Sequence, residues 1–452
     1  MAMISIGKKS AFPGRRPRKL PRDGAVVATL DIGAAKTACF IARVMPGAMG
    51  PSGTSEIDCD ITGGGIYGAQ AVTGSRKAGA LGGLTAREEA IRSAIEAAET
   101  VAGERVDTVH VCVPGQAIRY THVGIDLDIA SGFVTADDIV ESLQAGAELM
   151  TPQGAHLLHA IPVSYAVDGE LAGTDPRGLR AQRLTTRLMG VHTSQTTTAN
   201  LQAVVENAGL SVGSFLATPL MMARSVLVED EKDLGVLVID IGAQNVSYAV
   251  YQDGRPAGCG GIVPGAGHIS RDIAQAFSTP IAHAERQKIL HGTVFTSSAD
   301  EHRFVDMIPM AGGEERQRVP RAELANVIMP RLEEIYETLM ARIVEDQCPI
   351  NHLRRVVLTG GGSQLEGVRE HAERVFAMKA RLGKPMMING APEAMTGPAF
   401  SACAGAVEEV SESYGTLKDF PETGVRSVSA DYRQNASQNR VANIGGWLRS
   451  RF

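Results

Sequence analysis

Two segments about two hundred residues apart carry the same pattern of residues. Val26 to Gly33 reads Val-Val-Ala-Thr-Leu-Asp-Ile-Gly, and Val236 to Gly242 reads Val-Leu-Val-Ile-Asp-Ile-Gly. Each is an apolar, β-branched run ending in an aspartate and, two residues on, a glycine, which reads as a buried strand entering a tight turn. A second apolar run follows each glycine, Thr37 to Val44 and Val246 to Tyr251, so two hairpins of one design are expected. A third run, Arg355 to Gly362, is a strand that enters Gly360, Gly361 and Gly362. Glycine lets the backbone approach a ligand with no Cβ in the way. Successive N–H groups in such a turn form a concave anion site. The chemistry on offer is therefore backbone binding of an anion beside a pair of carboxylates. Either aspartate alone would be an ordinary strand-end residue; the repetition points to function.

Two Asp-x-Gly hairpins and a strand–Gly-Gly-Gly turn, in this order and spacing, resemble the actin-like ATPase superfamily of sugar kinases, chaperones and actins. The resemblance implies a cleft in which two hairpins clamp nucleotide phosphates from opposite lobes and the glycine turn carries the adenosine. Asp31 and Asp240 would hold Mg²⁺ through water, because Mg²⁺ keeps its waters and bridges to phosphates. Gly33, Ala34, Ala35 and Lys36 on the first turn, and Gly242, Ala243, Gln244 and Asn245 on the second, would line the phosphates of ATP. Glu285 and Lys288 are three apart on one helix face, the spacing at which the superfamily touches ribose and adenine. Gly360, Gly361, Gly362 and Gln364 would meet adenosine and the α-phosphate, and Gly265 and Gly267 would approach the nucleotide as well.

The elements that must position these residues follow from the rest of the chain. Its 452 residues suffice for two lobes with large cores. With 4% aromatic residues and a formal net charge of −6, it has the composition of a soluble globular protein, and no nucleic-acid partner is expected. No apolar stretch reaches the length of a membrane span, and no signal peptide is expected at the N-terminus. The six cysteines are scattered without a Cys-x-x-Cys, which fits a reduced, cytoplasmic chain with no cysteine metal site. Lys8 to Arg22 is basic, rich in proline and free of acids, and is expected to be disordered. Leu84 to Ala102 has helical periodicity with Gly103 just past its end. Thr135 is expected to cap a helix that runs to about Met150, with acids in its first turn. Strands are expected at Ser55–Thr62, Thr108–Val113, Gly124–Ile129, His156–Tyr165 and Thr185–Val191. Further helices are expected at Thr196–Ala208, Leu220–Val228, Ser270–Phe277, Ile281–Leu290, Arg321–Asp346, Leu365–Phe376 and Ala399–Val410. Thr416 to Gln438 reads as a polar linker.

A small α/β insert near residue 106 narrows the choice. So do the run Ala90-Ile-Arg-Ser-Ala-Ile-Glu-Ala-Ala-Glu99, the segment Leu220 to Gly235, and Pro330-Arg331-Leu-Glu-Glu334-Ile. From residue 24 to its end the chain resembles the FtsA family of bacterial actin-like cell-division proteins. The resemblance implies an α/β, actin-like two-lobed ATPase fold with duplicated sheet and helix cores, a small inserted α/β subdomain and a C-terminal amphipathic helix. The expected parts are a basic arm (1–23), subdomain IA (24–105, 191–230, with a closing helix at 398–415) and the insert IC (106–190). Lobe II is expected as IIA (231–264 and 350–397) and IIB (265–349), followed by the linker (416–438) and a membrane helix (439–452).

The terminal residues support a membrane role by themselves. Val441, Ile444, Leu448 and Phe452 share one helical face, Trp447 borders it, and Arg440, Arg449 and Arg451 accompany them without an acid. Such a basic amphipathic helix is an interfacial anchor, and Gly445-Gly446 disfavour a helix in water. The family then implies a peripheral protein on the cytoplasmic face of the inner membrane at the division septum. It would bind ATP and Mg²⁺, polymerise with itself, contact anionic lipids and other division proteins, and tether FtsZ filaments. Arg318, Arg321, Asn326 and Arg331 on IIB are the candidate partner contacts. The chain departs from the family pattern at Ala34 and at Gly242-Ala243-Gln244-Asn245, where hydroxyl side chains are usual. Thr218 stands where hydrolysing relatives carry an acid, so weak or no ATPase activity is expected. Two alternatives stand beside this reading. A pilus-assembly platform of the PilM type shares the insert but lacks the terminal helix, and a small-molecule kinase of the same superfamily would need a catalytic base.

Overall fold

In the computed structural model the two Asp-x-Gly segments form the middle strands of two five-stranded sheets of the same design. The structure describes residues 20–414 apart from 22, 50–54, 69–83, 174, 311–315 and 387–388. It also describes, as a separate small unit, an antiparallel pairing of Gly7–Lys8 with Arg426–Ser427. The rest of the expected linker, the whole terminal helix and nearly all of the basic arm lie outside the described residues.

Lobe I begins with β1 (Ala25–Ile32), β2 (Lys36–Met49) and β3 (Ser55–Gly68), an antiparallel meander. Helix α1 (Leu84–Ala102) then leads to β4 (Thr108–Val113), which lies parallel to β1. The insert follows with β5 (Arg119–Asp128), α2 (Ala136–Leu149), β6 (Ala155–Val167), β7 (Glu170–Leu171) and β8 (Arg183–Ser194). Its antiparallel sheet has the order β5-β8-β6-β7. Helix α3 (Gln195–Asn207) returns the chain to β9 (Ser211–Ala217), parallel to β4, and completes the order β9-β4-β1-β2-β3.

Lobe II repeats the plan. Helices α4 (Thr218–Val226) and α5 (Glu229–Leu234) lead into the meander β10 (Val236–Ile241), β11 (Val246–Gln252) and β12 (Arg255–Ile262). The smaller subdomain comes next, with α6 (Ala266–Ala276), α7 (Ile281–His291), the pair β13 (Phe304–Met307) and β14 (Gln317–Pro320), and α8 (Arg321–Glu345). Then come β15 (Arg355–Thr359) parallel to β10, α9 (Val368–Phe376) and β16 (Lys379–Leu382), giving the order β12-β11-β10-β15-β16. Helix α10 (Ser401–Glu412) closes the described chain.

The burial explains the sequence texture. Val236, Leu237, Val238 and Ile239 are all fully buried, as a central strand covered on both faces requires. Helix α1 turns Ala90, Ile91, Ala94, Ile95 and Ala98 inward, the helical stripe its spacing predicts. Helices α4 and α10 are almost wholly buried and pack on one another, which is why both are built from small and apolar residues. The lobes also meet at a polar seam. There the Tyr120 hydroxyl donates to the Asp346 carbonyl at 2.6 Å, and the Gly115 N–H donates to Ser247 Oγ at 3.3 Å.

Several expectations are corrected. The strand Thr108–Val113, placed at the head of the insert, instead pairs with β1 and β9 in lobe I. It is buried from Val109 to Val113, and only a central position covers both of its faces. Strands β7, β9, β12, β14 and β16 are absent from the sequence reading. Arg-Pro-Ala-Gly-Cys-Gly-Gly-Ile in β12 looks like a loop, but Pro256 and the glycines are tolerated on an edge strand. The helix expected over Leu220–Val228 stops at Val226, and α5 starts anew. The helix expected at Leu365 is preceded by a 3₁₀ turn, Gly361–Gln364, and begins only at Val368.

Thr135 caps α2 as its sequence indicates. Its Oγ1 accepts from the Asp138 N–H at 3.3 Å, while its own N–H donates to Asp138 Oδ2 at 2.7 Å. Thr135→Ala should therefore cost about 1 kcal/mol in an equilibrium denaturant titration, with a shifted midpoint and an unchanged slope.

Candidate functional site

The two hairpins have turns of the same length. Ile32 pairs with Thr37 and Ile241 with Val246, leaving Gly33-Ala34-Ala35-Lys36 and Gly242-Ala243-Gln244-Asn245 as equivalent four-residue turns. Lys36 and Asn245 thus hold the same position in the two lobes. Asp31 and Asp240 lie one residue before the end of each central strand, at the carboxyl edge of their sheets. This is where open α/β sheets bind ligands.

Electrostatics tie the two lobes together here. Burial raises the Asp31 carboxyl above its ordinary range, and the Lys36 ammonium opposes that rise. Asp240 is pushed up to about 7, first by burial and then by the nearby Asp31, with Lys36 again opposing. Burial lowers Lys36, while Asp31, Cys403 and Asp240 raise it. Two carboxyl groups therefore share the influence of one ammonium, and their combined charge suits a further cation. Among the described residues no group of three or more His, Cys, Asp or Glu side chains is placed to hold a metal. A pair of carboxylates fits Mg²⁺, which keeps several waters and takes its remaining ligands from substrate phosphate.

The glycine turn is built against the same carboxylate. Thr359, the last residue of β15, pairs in register with Asp240. Gly360 follows with φ at 82°, and a Cβ there would overlap Asp240 Oδ1 and stand 2.8 Å from the Ile241 N. Only glycine meets both demands. Gly361 has nothing nearer to a Cβ than Ala399 at 4.0 Å, so its backbone is approachable, and Gln364 is exposed at the end of the 3₁₀ turn. The Pro398 carbonyl accepts the Gly360 N–H at 3.2 Å and Thr359 Oγ1 at 3.1 Å, fixing the turn to the segment ahead of α10.

The remaining expected residues occupy supporting places. Gly265 and Gly267 lie against the second turn: the Ala266 N–H donates to the Gly242 carbonyl at 2.8 Å and the Gly267 N–H to the Ala243 carbonyl at 2.6 Å. A Cβ on Gly267 would stand 2.7 Å from that carbonyl oxygen, so α6 starts directly on the hairpin. Lys288 is buried, pairs with Glu285 at 2.8 Å and donates to the Ala266 carbonyl at 3.0 Å, while Ser270 Oγ also reaches Glu285. These two residues brace α7 against the start of α6. Thr218 is buried at the first turn of α4, and its Oγ1 has no hydrogen-bond partner among the described residues.

Of the four partner candidates, two are engaged internally. Arg321 bonds Asp300 at 2.8 Å, Glu366 and the His291 carbonyl, and Arg331 bonds Asp272 and Glu334. Arg318 is exposed, 3.8 Å from Asp306 and above the Phe304 ring, and Asn326 is exposed on α8. Sequence reasoning missed the exposed apolar residues Ile289, Leu290, Phe304 and Met310 of the same subdomain. It also missed Pro398, Ala399 and Phe400, which meet the glycine turn and Lys36. Gly397-Pro398 was the signal available, and it reads only as a helix start.

Two duplicated lobes with paired Asp-x-Gly hairpins and a facing glycine turn define an actin-like fold. Among solved structures, the PilM-PilN type IV pilus biogenesis complex shares this fold, with a TM-score of 0.56, 16% identity, and 86% of this chain and 99% of that one covered. The profile of the cell division protein FtsA matches residues 237–405, and that of the SHS2 domain inserted in FtsA matches 115–192. The second span begins after β4, in agreement with the sheet topology. The FtsA of Agrobacterium fabrum is 33% identical over 433 residues, covering 94% of this chain and 95% of its own. That of Rhizobium meliloti is 31% identical over 456 residues, covering 99% and 100%. The chain belongs to the FtsA family of cell division proteins.

The raised Asp240 sets a pH dependence. The folded chain holds a proton at about pH 7 that the unfolded chain, with an ordinary value of 3.8, has already lost. Stability therefore falls as pH rises through that window. Asp240→Asn should melt increasingly above the native chain from pH 4 to pH 8 in the absence of nucleotide. Parallel melting-temperature profiles would contradict this assignment.

Proposed function

We propose that this protein is an ATP-binding, polymerising adaptor of cell division that tethers FtsZ filaments to the cytoplasmic face of the inner membrane at the septum. The observation that carries the nucleotide part is the meeting of Asp31, Lys36, Asp240 and the Gly360 turn between the lobes. Gly33, Ala34, Ala35 and Gly242, Ala243, Gln244, Asn245 would cradle the phosphates. Asp31 and Asp240 would hold Mg²⁺ through water, and the ion would neutralise phosphate charge and fix the phosphates between the hairpins. Gly360, Gly361, Gly362 and Gln364 would face the adenosine. Ala34, and Ala243 with Gln244, put no hydroxyl on either turn, and Thr218 puts no carboxylate at α4, which favours binding over rapid turnover.

The exposed Ile289, Leu290, Phe304 and Met310, beside Arg318 and Asn326, make subdomain IIB the favoured partner surface. Family membership supports FtsZ and other division proteins as partners, with self-association into filaments. Among the described residues no helix is long and apolar enough to cross a membrane. The basic amphipathic sequence from Val441 to Phe452 supports attachment to anionic lipid from one side.

The test is flotation with anionic liposomes, with and without FtsZ filaments, for the full chain and a version ending at Gln438. The full chain should float and carry FtsZ with it in Mg²⁺-ATP, and the shortened chain should leave both in the dense fraction. Flotation of both versions would place membrane binding elsewhere on the chain. Failure of both would overturn the tether.

A further inference from the structure

Lys36 ends the first hairpin turn, where a phosphate-binding ammonium is expected, yet its head group is seated on a different partner. Its Nζ donates to the Ala399 carbonyl and lies 3.4 Å from the centroid of the Phe400 ring. An ammonium has three donors, and this seat uses one of them on a neutral carbonyl and presents the charge to a ring face. Asp31 and Asp240 act on it through space. An anionic phosphate offers a charge-assisted bond about twice as strong as one to a neutral acceptor.

The seat belongs to a segment that touches both lobes. Pro398 holds the Gly360 turn, the Phe400 ring lies 6.2 Å from Phe40 of β2, and the Ser401 carbonyl accepts Ser225 Oγ of α4 at 2.7 Å. The Cys403 carbonyl accepts Thr29 Oγ1 of β1 at 3.1 Å. Ala399 and Phe400 are thus continuous with α10 and with the contacts that join the lobes.

We propose that Lys36 is a two-position reader of the cleft: seated on Ala399 and Phe400 when no phosphate lies at the hairpins, and drawn onto the phosphate of a Mg²⁺-nucleotide when one does, which releases the 398–400 turn. The inference rests on the nucleotide reading above. It makes nucleotide affinity a competition between phosphate and the Phe400 seat.

Calorimetric binding of Mg²⁺-ATP and hydrogen exchange of peptides covering 397–404 test it on the full chain. In the native protein, ATP should speed exchange around Phe400 at least about threefold, although it orders the hairpins. Phe400→Leu, which removes the ring from the competition, should tighten ATP binding by about three- to tenfold. Lys36→Met should exchange rapidly in this segment with or without ATP and bind ATP about tenfold more weakly. If ATP binds the native chain but exchange at 397–404 stays unchanged or slows, the reader is overturned while the nucleotide site stands. Unaltered affinity in folded Phe400→Leu overturns it equally. If that variant fails to fold, the exchange of Lys36→Met decides: slow, native-like exchange without ATP rejects the proposal. Absence of ATP binding to the native chain removes the nucleotide reading and this inference with it.

Discussion

Two carboxyl groups of like charge sit at the ends of the two central strands, with a single ammonium group close to both. Charges brought this close and partly withdrawn from water repel strongly. The fold places them there regardless, because β1 and β10 are the middle strands of duplicated sheets and each carries its aspartate one residue before its end. The rest of the site answers this constraint. Gly360 turns away through a positive φ to leave room for Asp240, Lys36 lies between the lobes, and the glycines of α6 let that helix start on the second hairpin. In the proposed nucleotide-bound state a divalent cation with its phosphates would balance the charge of this cluster.

The segment 397–403 is the second organising feature. It reaches the glycine turn through Pro398, the first hairpin through Ala399 and Phe400, α4 through Ser401 and β1 through Cys403. Apart from Phe400 its residues are small, because they pass between closely packed elements. The same closeness continues along α10, where a Cβ on Gly405 would overlap the Met221 carbonyl. The cleft and the packing of the two lobes thus share one piece of chain, and α6 of the small lobe II subdomain starts directly on the second hairpin.

Much of the fold was legible because its signals are strong and local. β-branched runs into Asp-x-Gly mark both central strands, alternating helical burial marks α1, and a Thr with an acid three residues on marks the start of α2. What escaped has physical reasons as well. β12 is an edge strand rich in glycine, and its identity depends on β11 beside it. β4 looks like part of the insert because the chain passes straight from one into the other, and only pairing with β1 assigns it to lobe I. The turn residues of the candidate site were legible from spacing. The roles of Glu285 and Lys288 as a brace, and of Arg321 and Arg331 as internal ion pairs, were not, because a charged helix residue carries no local sign of its partner. Ala399 and Phe400 meet Lys36 from more than three hundred positions away in sequence, which no local pattern reveals.

The most direct test is proton-linked calorimetry of Mg²⁺-ATP binding at pH 7, in buffers of differing ionisation heat. With the Asp240 carboxyl pushed up to about 7, clamping Mg²⁺ between the hairpins should expel a fraction of a proton. The observed heat should then depend on the buffer, and that dependence should shrink in Asp240→Asn. Binding with the same buffer dependence in both proteins would mean that the nucleotide does not engage the paired carboxylates, and the account of the cleft would fail.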